Sequence, residues 1–311
     1  MAIPIESVTV GVGDLDGALK LFRDGLGLQV VNDTRASVGL LSVWGYPVHE
    51  GVRLIDLVPP GGSGRLRLEH CESGMSRHTR LDSGPDARDV PTAIGPKAIH
   101  IEVAGPLGPA LETLTSHGYQ RRSEPVRWGD GIEAAAVAGP DGLTLVVSGA
   151  GKGAKSTGVT VSAVGASVVT ADLEASGRFY GELLGLSAVE ANRPEDAPPE
   201  QLARLAGARK GARAQVLAVG GGDSGTRVLL VSFPGEHSPS LTHPMQPGQL
   251  GMTLLSCRCE SLDVMEEHLR TLGIEPVKPS THVGLPVGRP GRVMLVRGPA
   301  GELVELYDLS P

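Results

Sequence analysis

Residues 14–28 read DLDGALKLFRDGLGL and residues 172–186 read DLEASGRFYGELLGL, so that Asp14 aligns with Asp172, Leu15 with Leu173, Phe22 with Tyr180, Gly27 with Gly185 and Leu28 with Leu186. Each stretch predicts a helix. The aspartate stands where a carboxylate caps free N–H groups, apolar residues follow at helical spacing, and the glycine can take the left-handed conformation that ends a helix. Just upstream, SVTVGVG (7–13) and AVGASVVTA (163–171) alternate as a strand with one buried face does.

The repeat continues beyond the helix. LLSVWGYPVHEGVRLIDLVPPGGSGRLRLEHCE (40–72) compares with QLARLAGARKGARAQVLAVGGGDSGTRVLLVSFPG (201–235), and both contain two strands joined by a glycine-rich hairpin. A second pair of units follows, ALETLTSHGY with AAAVAGPDGLTLVVS in the first half and MEEHLRTLGI with VMLVRGPAGELVELYD in the second. Each of the four units reads strand, helix, three strands. The expected fold is α+β, with four βαβββ modules paired into two curved half-barrel sheets, each enclosing a chamber. Residues 1–148 form an N-terminal domain of two modules, the glycine-rich 149–158 a flexible linker, and 159–311 a C-terminal domain of two modules, which gives one chamber per half.

The aspartate-led helices closing in L-G-L, together with the turns GPDG (139–142) and GPAG (298–301), resemble the vicinal oxygen chelate superfamily over nearly the whole chain. That superfamily includes glyoxalase I, extradiol dioxygenases, fosfomycin-resistance proteins and bleomycin-binding proteins. The resemblance implies a divalent metal held by a histidine on a module's first strand and a glutamate on its last, on the chamber face, where the ion acts as a Lewis acid.

Parity along each strand sorts the residues that face a chamber. The histidine position holds Ser7 in the first unit and Gly165 or Ala163 in the third, while GMTLLSCRC in the fourth offers Leu254, Ser256 and Arg258. Glu305 fits the carboxylate position, and Val146 occupies its equivalent in the second unit. Glu69, His100 and Glu305 are therefore the candidate metal ligands, with Glu102 on the face of His100, but they do not make up a matched set of three ligands. A divalent metal stays an alternative cofactor on which the reading does not depend. The preferred site has Glu305 as acid/base, its pKa raised by an apolar chamber, Arg258 as its partner and anion stabiliser, and Tyr307 as a hydrogen-bond donor. Ser256, Leu254 and Leu303 line it as substrate contacts.

A net charge of -7 and only 9 aromatic residues argue against nucleic acid and leave a small-molecule substrate or ligand as the expected partner. Homodimer formation stays open. Cys71, Cys257 and Cys259 supply no disulfide framework, and no apolar run reaches membrane-spanning length, so a cytoplasmic protein is expected, with no membrane partner. PPGGSG and VGGGDSG lack phosphate-loop spacing and read as hairpin turns, while Asn192 to Gln201 reads as a mobile or helical flap over a chamber. Three functions compete: an isomerase, lyase or cyclase using acid/base chemistry on a small oxygenated molecule, a non-catalytic or antibiotic-sequestering binder, and a metal-dependent dioxygenase or glyoxalase. The first is preferred.

Overall fold

A computed structural model describes residues 2–47, 49–76, 90–129, 131–151, 159–190, 198–221 and 225–309. Most of the 149–158 linker, the start of the Asn192 to Gln201 flap and His78 fall outside them. The first module comprises β1 (Ile5–Gly11), α1 (Leu15–Leu19, continued by a π-helical turn Lys20–Gly25), β2 (Gln29–Arg35), α2 (Val38–Trp44), β3 (Val52–Val58) and β4 (Leu66–Cys71). The second has β5 (Gly95–Pro106), α3 (Leu107–Ser116), β6 (Gln120–Arg121), β7 (Val126–Gly129), β8 (Ile132–Ala138) and β9 (Thr144–Ala150). The third has β10 (Val161–Val169), α4 (Leu173–Leu184), β11 (Ala188–Glu190), α5 (Pro199–Leu205), β12 (Gln215–Gly220) and β13 (Arg227–Ser232). The fourth has β14 (Gly251–Arg258), α6 (Leu262–Leu272), β15 (Lys278–Gly284), β16 (Pro290–Arg297) and β17 (Leu303–Leu309).

The expected helix signals operate as written. Asp14 Oδ1 accepts from Gly17 N and Asp172 Oδ1 from Ala175 N, both at 2.9 Å, and α4 ends at Gly185 with φ +65°. The two halves also carry a feature the strand reading passed over. In modules one and three a short helix, α2 or α5, is inserted after the second strand. PPGGSG is the turn between β3 and β4, and the VGGGDSG stretch, part of which lies outside the described residues, connects β12 to β13.

The modules pair two by two into two curved sheets, but the pairing crosses the halves. The order β15-β16-β17-β14-β1-β4-β3-β2 joins modules four and one in an outer sheet, and β11-β12-β13-β10-β5-β9-β8-β6 joins three and two in an inner sheet. The seam of each is antiparallel, Ser7 opposite Ser256 in one and Gly165 opposite His100 in the other. The expectation of one chamber per half is thus corrected: each sheet takes one module from each half. The physical reason is that the four first strands present alike apolar faces, so the repeat alone does not say which copy each strand meets. The connection over residues 72–94 lets the chain leave module one for the other sheet, while the linker joins two modules of the same inner sheet.

Within each half the contacts are made by helices and turns. Helix α3 packs on α1's π-helical continuation, and α4 packs on α6. The G-P-x-G turns staple the same pairs of modules: Asp141 accepts from Gly13 N at 2.7 Å, and buried Glu302 accepts from Tyr180 Oη of α4 at 2.9 Å. Val8, Ile99, Val164 and Leu255, one from each module's first strand, belong to a single continuous core between the sheets. The sheets are also tied through hairpins. Ser63 donates to Ser162 O at 3.0 Å and accepts from Val164 N at 2.9 Å. Next to it Gly64 has φ +79°, and a Cβ there would lie 2.2 Å from Val164 O, so glycine is required. Thr226 N returns the contact to Ile5 O at 2.7 Å.

A protease site placed within 152–158 and cut after folding should leave both fragments eluting as one particle in size-exclusion chromatography, because each sheet holds strands of both. Separation without denaturant would contradict the crossed pairing.

Candidate functional site

The face of each sheet away from the common core forms a chamber, and the two chambers have opposite character. In the outer chamber α2 lies across the sheet. Ser37 caps it, and Leu40, Leu41, Val43 and Trp44 are buried against Leu254, Val293, Leu295, Leu303 and Tyr307. Burying four such side chains contributes roughly 6–12 kcal/mol before ordering costs, so α2 is a fixed plug and not a loose cover.

Beneath the plug sits a buried charge network. Arg67 Nε donates to Asp56 Oδ1 at 2.7 Å, and its guanidinium lies 3.8 Å from Glu305, with all three residues at most 5% exposed. Trp44 Nε1 donates to Glu305 Oε2 at 2.8 Å. Burial raises the Glu305 pKa, opposed by the charge of Arg67. Burial acts on Asp56 in the same direction, but there Arg67 outweighs it and the pKa is lowered. Glu69 accepts from Tyr46 Oη, from Gly248 N at 2.8 Å and from Thr253 Oγ1 at 3.1 Å, and burial still pushes it up to about 7.

This arrangement corrects the expected site. Glu305 is buried on the chamber face as read, but its cation is Arg67 of the partner module. Arg258 stands at the exposed end of β14. Tyr307 shares the face of Glu305, yet its hydroxyl donates to Glu6, and burial together with that bond raises its pKa. Leu254 and Leu303 pack against α2, and Ser256, beside Glu305, is buried. The expected substrate contacts are therefore packing residues beneath a helix.

The inner chamber has apolar residues where the outer one has Arg67, Glu69 and Glu305, and it keeps an open space. Ser256 pairs with Glu305 as His100 pairs with Val146, and Thr9 pairs with Arg67 as Ser167 pairs with Leu229. Helix α5, which begins at the end of the expected Asn192 to Gln201 flap and runs beyond it, lies here as α2 does opposite, burying Leu202, Ala203 and Leu205. It leaves an outer compartment of about 510 Å³ and an inner slot of about 70 Å³, and His100, Trp128 and Leu229 border both. His100 as a residue is partly exposed, but its Nε2 is buried without a hydrogen-bond partner. Burial, then the nearby Arg227 charge, push His100 down to about 3, so the imidazole is neutral. Arg227 pairs with Glu102 at 3.1 Å at the mouth, both about half exposed.

The family's metal set does not fit either chamber. From His100 the ladder leads to Val146 and Gly165, and from Gly165 to Arg227, so the imidazole has no anionic or neutral donor beside it at those places. In the outer chamber Glu305 and Glu69 already receive hydrogen bonds, and Arg67 supplies the positive charge. Glu69 and Glu305 belong to one sheet and His100 to the other, so the three candidates do not meet around one ion. Among the described residues no group of three His, Cys, Asp or Glu could hold a metal.

The sequence reading passed over Arg67, although it shares the parity of Glu69 in RLRLEHCE, and passed over Arg227 and Trp128. The chain has only two tryptophans, one at the end of α2 and one on β7 against α5, and their rarity was a usable signal.

No family model and no curated protein matches the sequence. Among solved structures the chain is similar to a glyoxalase I variant from Zea mays, at 14% identity and TM-score 0.62 over 99% of this chain and 94% of that one. Unaltered Zea mays glyoxalase I matches at 15% identity and TM-score 0.59, over 99% and 92%. A Bacillus subtilis protein provisionally described as a dioxygenase matches at 14% and 0.61, over 100% and 86%. The fold is that of the vicinal oxygen chelate proteins. No helix among the described residues is long and apolar enough to cross a membrane.

Replacing Arg67 with methionine should lower stability at pH 7 by about 3–5 kcal/mol, because it leaves Asp56 and Glu305 buried without a cation. The stranded carboxyls then have raised pKa values, so the folded variant takes up protons that the unfolded chain does not. Its deficit should shrink as pH falls from 7 towards 5. Urea unfolding at both pH values checks this.

Proposed function

We propose that this chain is a small-molecule-binding protein of the vicinal oxygen chelate fold, that its working chamber is the inner one, and that it binds without the family's histidine and glutamate metal centre. The observation that carries the reading is His100. The residue borders a cavity of about 510 Å³ and its buried Nε2 has no hydrogen-bond partner, so a small turn of the ring towards the cavity gives a ligand a polar group to satisfy. A volume of that size suits a small organic molecule.

The acid/base isomerase or lyase reading loses its support in the outer chamber, where Glu305 is covered by Trp44 and neutralised by Arg67. It gains little in the inner one. The burial and the Arg227 charge that keep His100 neutral also make it a weak base near pH 7, better suited to holding a ligand oxygen than to removing a proton from carbon. Binding is accordingly the better reading than turnover.

The two tryptophans report separately on the two chambers. In nitrogen-15 spectra, titration with a panel of small oxygenated compounds should shift the Trp128 indole N–H and leave that of Trp44 in place. A panel in which Trp44 responds and Trp128 does not would move the site to the outer chamber and defeat the proposal.

A further inference from the structure

The walls of the inner chamber also indicate what kind of molecule it takes, an inference that rests on the reading just given. The mouth is polar but close to neutral. Glu102 and Arg227 cancel each other, and Ser63, Ser148, Ser162 and Ser187 line the same compartment. Hydroxyls both donate and accept, so they match a partner of the same kind, and an ion pair offers one donor and one acceptor side by side. His100 Nε2 adds a neutral polar group deeper in, and Trp128 offers the one aromatic face against which the C–H edge of a ring can lie.

Beyond His100 the character changes. The slot under α5 is walled by Ala98, Val146, Leu205, Val216, Leu229 and Val231, and its 70 Å³ has room for about two or three heavy atoms, taking a liquid water's share of roughly 30 Å³ as the measure. Two cations, Lys97 and Arg122, border the slot, and both already have partners. The slot therefore suits a short apolar group better than a carboxylate.

We propose that the inner chamber takes a neutral, polyhydroxylated small molecule carrying a short aliphatic substituent. The ring lies against Trp128 with its hydroxyls on the serines, the Glu102–Arg227 pair and His100 Nε2. The substituent enters the slot beneath α5. The chamber thereby reads two things at once, the absence of net charge at the head and the length of the tail.

Calorimetric titration of the full chain with methyl, ethyl, propyl and hexyl β-glucosides, with propyl glucuronide and with butanoate tests this. Affinity should rise about fourfold per methylene from methyl to propyl, the fold-change for burying one such group, and fall again at hexyl, which exceeds the slot. The glucuronide and butanoate should bind more weakly than propyl glucoside. Ala98→Leu, which fills the slot, should remove the chain-length gain, and an unmoved Trp44 indole signal would confirm that the variant folds. Tighter binding of either anion, or indifference to chain length in the unaltered protein, would overturn the inference. Absence of glucoside binding while other compounds still shift the Trp128 indole would overturn it and leave the chamber reading intact. If no compound shifts Trp128, the chamber reading fails and this inference with it.

Discussion

The structure depends on two antiparallel seams, β1 against β14 and β5 against β10, in which a strand from one half of the chain hydrogen-bonds to a strand from the other. Each seam closes a sheet, and each sheet's outward face becomes a chamber with walls from both halves. Every later feature inherits this choice. Arg67 meets Glu305 only because module one meets module four, and His100 faces Gly165 only because module two meets module three. Helices and G-P-x-G turns hold the members of each half together at the same time, so the four modules share one core. Neither half has a complete sheet without the other.

On that frame the two chambers have diverged by exchanging polarity at matched positions. The outer chamber holds Arg67, Glu69 and Glu305 beneath a helix whose four buried side chains include Trp44. At the corresponding ladder positions the inner chamber has Leu229, Val231 and Val146. Isolated charges in a closed interior are costly unless neutralised and hydrogen-bonded, and the outer network meets that requirement: Arg67 is shared between Asp56 and Glu305, and Glu69 has three donors. Where the charges are gone, no network is needed to fill the space, and a cavity can persist.

What could be read from the sequence follows from the range of each signal. Helix starts at Asp14 and Asp172, the glycine end of α4 and the PPGGSG hairpin are set by residues within a turn of one another, and these agree with the structure. The parity that put Glu305 on a chamber face is equally local. Its partner was misassigned to Arg258 because Arg258 and Arg67 satisfy the same parity, and the choice between them depends on which copy of a repeated strand lies alongside and on where β14 reaches solvent. Helix α2 was passed over because LLSVW offers too short an apolar run to separate helix from strand. Only packing against the opposite module decides it.

A repeat with two chambers relaxes the demands on each. Glutamates that would suit a metal can become structural if a fixed cation replaces the mobile one, and the guanidinium of Arg67 does this beside Glu305. Being covalently attached, it needs no entry path, and α2 can close the chamber over it. The inner chamber has Val146 where the outer one has Glu305, so no carboxylate stands at that position. It is covered by a helix that buries only two leucines and an alanine, a smaller apolar contact than that of α2. The less tightly covered chamber is the one with the open mouth and the partnerless His100 Nε2. Burial and packing, taken together, separate a chamber closed by its own side chains from one that keeps an open cavity.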